Sequence, residues 1–165
     1  MLKLLPEPFG GAAPSDAALG DWYVNRIVID RQPLLLLVSS TSRLAIVTMA
    51  RDVRALPNRL GTLVGERIRR LMVAPAAVAL EVEATTAVTV GKTIDRSVTG
   101  QMVDFAKAIP YYLPEGHWNE DDLKLVEDKL AETPCLASGP YKGVIFPREK
   151  AMQLLEAKWR ASVRR

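Results

Sequence analysis

The sequence predicts a single α+β domain in which an antiparallel sheet of three to five strands is covered by about four helices. Between residues 22 and 49, three β-branched or leucine-rich runs are separated only by the polar breaks Asp30-Arg31-Gln32 and Ser40-Thr41-Ser42, the spacing of consecutive hairpins. Four other stretches repeat apolar residues at three- and four-residue intervals, the period of a helix with one buried face. At 165 residues and 48% hydrophobic, the chain can bury about two thirds of its unfolded surface in one domain.

Taken in order, residues 1–20 read as a loop-rich lead-in. Pro6 and Pro8 interrupt the first apolar run, residues 9–20 are rich in Gly, Pro and Ala, and order is expected from Asp21 onward. Strands follow at Trp22–Ile29, Pro33–Ser39 and Arg43–Met49. Because Leu34–Val38 is apolar without alternation, it belongs at the sheet centre with both faces covered. A helix over 57–72 has Pro57 in its first turn, directs Leu60, Leu63, Val64, Ile68, Leu71 and Met72 inward, and ends before Pro75. Residues 78–90 carry strand character in Val82 and Ala87-Val88-Thr89-Val90, while 76–80 suit a helical turn equally well. Asp95 is a good N-cap for a helix whose stripe is Val98, Met102, Phe105 and Ile109 and which Pro110 stops. Asn119, followed by three carboxylates, opens a helix through about Glu132 with Leu123, Val126 and Leu130 inward, closed by Pro134. Pro147 starts the last helix, lined by Ala151, Leu154, Leu155 and Trp159, before a basic tail at 160–165.

Composition excludes several classes of chemistry. Cys135 is the single cysteine and His117 the single histidine, so intrachain disulfides, cysteine-rich zinc sites and metal sites built on several histidines are ruled out. A Cys135/His117 nucleophile pair would need two distant loops to meet. No cofactor and no metal is expected. The net charge of +3 and pI near 9.1 permit anionic partners without implying them. No secretory leader or bilayer-spanning run is legible, the longest apolar string being Leu34–Val38, so a soluble cytoplasmic protein with no membrane partner is expected. Oligomeric state is not legible.

The stretch Gly91-Lys92-Thr93 raises the question of a phosphate loop. A P-loop needs glycine five residues before the Gly-Lys pair, where this chain has Thr86. What remains is Lys92 and Thr93 just ahead of a helix start, either as an anion site or as a capped start beside a solvated lysine. On the wheel of residues 95–109, Arg96, Gly100, Val103 and Lys107 lie opposite the Val98 stripe. Glycine costs about 1 kcal/mol in a helix interior, so Gly100 implies a close approach to that face. The approaching body is another segment of the domain, or else a ligand or partner held by Arg96 and Lys107.

Residues 51–70 hold Arg51, Arg54, Arg59, Arg67, Arg69 and Arg70 against Asp52 and Glu66. This run suits nucleic-acid phosphates or, preferably, a solvated face with a Glu66–Arg70 pair, since no aromatic residue lies among them to stack a base. The acidic helix from Asn119 offers an internal or intersubunit match. Within it, Asp122-Leu-Lys124 and Glu127-Asp-Lys129 resemble a nuclease fragment only by chance, because that chemistry needs a strand. Glu81 and Glu83 share a face if 78–84 is a strand, as Mg²⁺ ligands or as two exposed glutamates. In the first strand, alternation separates Trp22 and Val24 from Tyr23 and Asn25, and Asn25 is either a structural tie or part of a binding surface.

The pattern Trp22-x-x-Asn25, Asp30-Arg31, Ser40-Thr41 and Lys92-Thr93-x-x-Arg96-Ser97-Val98-x-Gly100-x-Met102 resembles a family of small bacterial proteins known only as a domain of unknown function, over about residues 20–110. That family commonly carries Asn where this chain has Val103, directly before Asp104. The resemblance implies a bacterial cytoplasmic source and concentrates interest on Asn25, Arg31, Lys92, Thr93, Arg96, Ser97 and Gly100. It implies no activity.

The expectation is therefore a non-enzymatic binding or regulatory module. Its basic, polar surface would use Asn25, Arg31, Lys92, Thr93, Arg96, Ser97, Gly100 and Lys107 for an anionic ligand, nucleic acid or protein partner. The alternative is an enzyme on phosphoryl or phosphodiester substrates, with Lys92 and Arg96 stabilising charge and Glu81, Glu83 or Asp104 as base or Mg²⁺ ligand. Membership of a toxin–antitoxin pair is a third reading.

Overall fold

The computed structural model describes residues 2–6, 16–136 and 143–164. Leu2–Pro6 (β1), Trp22–Ile29 (β2), Gln32–Ser39 (β3), Ala45–Met49 (β4) and Val88–Lys92 (β5) form one five-stranded sheet in the order β4-β3-β2-β1-β5. Every neighbouring pair is antiparallel. The expected first hairpin is present in its tightest form: Ile29 pairs with Gln32, and Asp30 and Arg31 take φ of 50° and 65°. A two-residue loop with both residues left-handed matches the twist of its strands.

Helices cover both faces. Alternation along β3 sends Leu35 and Leu37 into a core shared with Leu56–Arg69 (α1), Pro75–Ala84 (α2) and Pro147–Val163 (α5). It sends Leu34, Leu36 and Val38 into a second core with Arg96–Tyr112 (α3) and Glu120–Ala131 (α4). Each of these leucines is 2% exposed or less, and burial of such a side chain contributes roughly 1.5–3 kcal/mol. Both cores rest on one sheet, so the chain is a single α+β domain, as its patterning predicts. A 3-10 turn at Val53–Ala55 leads into α1, and a small ribbon pairs Cys135–Leu136 (β6) with Val144–Ile145 (β7).

Capping follows the expected chemistry. The Asp95 carboxylate accepts hydrogen bonds from the Ser97 and Val98 amides, and Asn119 and Asp122 form a reciprocal capping box. The stripe Val98, Met102, Phe105 and Ile109 is buried throughout.

Five expectations need correction. Order does not begin at Asp21, because β1 lies inside the sheet between β2 and β5; a five-residue strand ending at Pro6 is too short to show a period. Residues 7–15 of the expected loop lie outside the described residues. The strand reading of 78–84 gives way to α2, since Ala76, Ala77, Ala79 and Leu80 are strong helix formers. Pro75 opens α2 at its first turn rather than merely ending α1. Met72 does not face the core: it lies beyond α1 with φ 62° and is 83% exposed. Finally, α3 continues through Pro110 to Tyr112. One missing N–H near a helix end is outweighed there by the burial of Leu113, whose amide still bonds the Ile109 carbonyl at 3.2 Å.

α1 and α2 meet along glycine. A Cβ at Gly65 would lie 2.7 Å from Val82 Cγ2, and one at Gly61 3.4 Å from the Val82 carbonyl oxygen. The two glycines sit four apart on one helical strip and let the helix axes close on each other.

Candidate functional site

Ser40 and Ser97, one from each of the two sequence blocks that suggest function, meet through Arg43 at one end of the sheet, and much of the chemistry there holds the fold together. The turn at 17–21 docks against the β3–β4 turn at 39–44. Ser39 Oγ donates to the Leu19 carbonyl at 2.7 Å and accepts from the Ser42 amide and hydroxyl at 3.2 and 2.9 Å. The Asp21 amide donates to Ser40 Oγ at 3.1 Å. Gly20 has φ +67°, and a Cβ there would fall 2.7 Å from Ser40 Oγ, so only glycine fits.

Beside this turn, Arg43 is 1% exposed and takes a positive φ of 64°. Its guanidinium donates to the Ser40 carbonyl and, at 3.1 Å, to Ser97 Oγ at the start of α3. Burial pushes the Arg43 pKa down, against the opposing pull of Asp95. The Asp95 amide in turn donates to the Tyr23 hydroxyl at 3.1 Å. Gly91-Lys92-Thr93 therefore turns a corner from β5 into a docked helix start. The anion reading at this terminus is not supported, since the Ser97 and Val98 amides are already taken by a carboxylate.

The residues singled out from sequence do not gather into one cluster. Ser97 joins the Arg43 contact. Asn25 is half-buried and pairs with Leu36, on the α3 side of the sheet. Lys92 falls in register with Leu2 and Val24, on the opposite side. Thr93 is half-buried between Lys92 and the cap. Arg31 occupies the far hairpin, about 26 Å along β2 from Tyr23, where its left-handed φ gives it a role in the turn. Arg96, Gly100 and Lys107 remain together as the exposed outer stripe of α3, with Val103 between them at 46% exposure. Tyr111, four residues beyond Lys107 and 87% exposed, extends that stripe; reading Pro110 as a helix terminus hid it. Among the described residues, no intramolecular packing on Gly100 is found, because none lies within 4 Å of a Cβ built there.

The basic run at 51–70 divides: Arg54 and Arg69 are exposed, as a solvated face requires, and Arg59 is half-buried, while Arg51, Arg67 and Arg70 meet the acidic helix within the chain. Arg67 is 2% exposed. Its Nε donates to the Ala45 carbonyl at 3.0 Å and its Nη2 to the Glu127 carbonyl at 3.1 Å. Glu127 Oε1 accepts from the Val47 amide at 2.9 Å. Arg70 pairs with Glu127 and Asp128 rather than with Glu66, and Arg51 pairs with Glu120. The acidic helix is thus the internal match. Two buried charged side chains from α1 and α4 satisfy the backbone of β4, the edge strand, and block it from pairing with other chains.

The carboxylate and thiol candidates are likewise occupied. Glu81 is 0% exposed on α2, not on a strand surface. It accepts from the Ala18 and Leu19 amides at 2.8 and 3.0 Å and from Trp159 Nε1 at 2.9 Å. Cys135 is buried while His117 is exposed, and burial pushes the Cys135 thiol up to about 11, which keeps it protonated at neutral pH. Among the described residues, no cluster of three or more His, Cys, Asp or Glu could hold a metal, and no helix is long and apolar enough to cross a membrane.

None of the curated proteins and none of the solved structures matches this chain. The sequence profile that does match agrees with the resemblance noted above in being a family without assigned activity, and it extends well beyond the 20–110 block to take in β1, most of both cores and the start of α5. Matched over residues 1–150, the chain belongs to the family described as Domain of unknown function (DUF6933).

Proposed function

We propose that this protein is a non-catalytic binding or regulatory module of the bacterial cytoplasm, and that it docks an acidic protein segment on the outer face of α3. The observation that carries this reading is the setting of Gly100. The two α1 glycines are each explained by α2 lying against them, whereas no described residue approaches Gly100. A glycine at an exposed helical position costs about 1 kcal/mol, and nothing among the described residues recovers it.

The stripe around Gly100 suits a protein partner. Arg96 and Lys107 stand about 16 Å apart along the helix and flank Gly100 and Val103, while Tyr111 adds an exposed aromatic ring just beyond Lys107. Cations around a small apolar centre favour a partner backbone that comes close and carries carboxylates. The phosphoryl-enzyme alternative has less support. It needs Lys92, Arg96 and a carboxylate around one concavity, yet neither cation lines any of three concavities found on the surface, and Glu81 is committed to three N–H donors.

The test is affinity capture on immobilised protein, with quantitative mass spectrometry, comparing wild type with the Arg96→Ala/Lys107→Ala double variant. Both residues are exposed, so the two proteins are expected to unfold at the same temperature within error. The double variant is expected to retain its main acidic partner at least about tenfold less well. An identical set of retained polypeptides contradicts the assignment.

A further inference from the structure

On the other side of the sheet, Met72 is the only apolar residue among the five described non-glycine residues with positive φ. Left-handed backbone at a residue of this shape is strained, and its side chain is 83% exposed, so no burial within the chain offsets the strain. Met72 forms one lip of a cavity of about 320 Å³ between the α1–α2 turn and α5, with Val73, Ala77, Leu155 and Trp159 as its apolar wall. A cavity of that size falls within the range of small-molecule sites.

The opposite lip is charged. Glu156 and Arg160 on α5 and Arg164 at its C-cap follow one another at four-residue intervals, and all three line the cavity. Neither arginine has an acidic partner among the described residues. This sets the cavity apart from two others. In the concavities of about 120 and 490 Å³, the cations are already paired: Arg67 and Arg70 with Glu127 and Asp128, Arg51 with Glu120, and Lys124 with Asp121.

We propose that the cavity between the α1–α2 turn and α5 binds a small amphipathic carboxylate, its hydrocarbon body against Met72, Val73 and Trp159 and its head group on Arg160 and Arg164. Two cations and one glutamate leave a surplus of one positive charge, which a monoanion neutralises. The planar guanidinium fork matches a carboxylate in geometry, and the flexible thioether of Met72 adapts to an alkyl chain. The site lies on the face of the sheet opposite α3, so it stands independently of the docking surface proposed above.

Octanoate titrated into the protein by calorimetry, with octan-1-ol and octylammonium as matched controls, tests the assignment. Octanoate is expected to bind saturably at one site and to shift the amide resonances of Met72–Ala77 and of residues 155–164. The Arg160→Gln/Arg164→Gln variant is expected to weaken binding about tenfold or more. Met72→Gly, which relieves the backbone strain, is expected to fold at least as stably while binding less tightly. The proposal is overturned if octanoate does not saturate, if the alcohol or the ammonium binds equally well, or if the double arginine variant binds unchanged. It is also overturned if sedimentation shows a dimer that the double variant disperses, since a second copy would then occupy the cavity.

Discussion

Replacing Glu127 with leucine is expected to lower the unfolding free energy by about 3–5 kcal/mol, the cost of leaving a buried partner charge uncompensated. The charge that loses its buried partner is Arg67, 2% exposed with its Nε 3.6 Å from Glu127 Oε2; its remaining acidic partner among the described residues is the exposed Asp128, 3.5 Å from its Nη1. The Val47 amide also loses its acceptor. Burial acts against both partners: it pushes the Glu127 carboxyl up despite the pull of Arg67, and it pushes the Arg67 guanidinium down despite the pull of Glu127. Burial thus works against the charged form of each partner, and a buried pair of this kind contributes little net stability even though losing one partner is costly. Its structural use is to close the β4 edge.

It follows that Arg67→Met combined with Glu127→Leu should be more stable than Glu127→Leu alone, with a coupling energy of about 1–3 kcal/mol in a double-mutant cycle. Chemical denaturation of the four proteins measures it. A single variant that loses less than about 1 kcal/mol, or a strictly additive double, would show that the network is solvated and not buried as described. The double variant, with its β4 edge uncovered, is also expected to self-associate more readily, visible by light scattering.

Glu81→Leu is expected to cost about 3 kcal/mol or more, because it strands three donors at once, each unsatisfied buried group costing about 1–3 kcal/mol. Two are the Ala18 and Leu19 amides and the third is Trp159 Nε1. The carboxylate therefore ties α2 to the turn before β2 and to α5, three segments distant in sequence. The loss has a local signature: the Ala18 and Leu19 amides should exchange with solvent much faster in the variant at temperatures where the sheet remains protected. Retained protection at those two amides, or a loss under about 1 kcal/mol, would contradict the anchoring role.

What could be seen in the sequence was whatever rested on local rules. The hairpin at Asp30-Arg31, the apolar run of β3, the Asp95 and Asn119 caps and the Val98 stripe each depend on neighbours within a few residues, and all are present. What was missed depends on distant partners. Glu81 looks like an ordinary surface glutamate in a short alanine-rich segment, and only the arrival of Ala18, Leu19 and Trp159 makes its burial affordable. Arg67 and Glu127 look like members of solvated charge runs until the β4 edge lies between them. The seam formed by Gly61 and Gly65 carries a legible cue, two glycines four apart on a helix, which acquires its meaning only when Val82 packs against it. The candidate site was legible in part for the same reason. The wheel places Arg96, Gly100, Val103 and Lys107 on one strip, but it does not reveal that Asn25, Lys92 and Arg31 lie on other faces or at another end of the sheet.

The most direct measurement is Gly100→Ala, followed by both denaturation and affinity capture. Since an added Cβ meets none of the described residues within 4 Å, alanine should raise the unfolding free energy by about 0.5–1 kcal/mol. The same methyl should obstruct the closest approach of a partner and reduce its retention on the immobilised protein. A more stable protein that holds its partners as tightly as wild type would mean that nothing docks over α3, and a less stable one would mean that this face is not open.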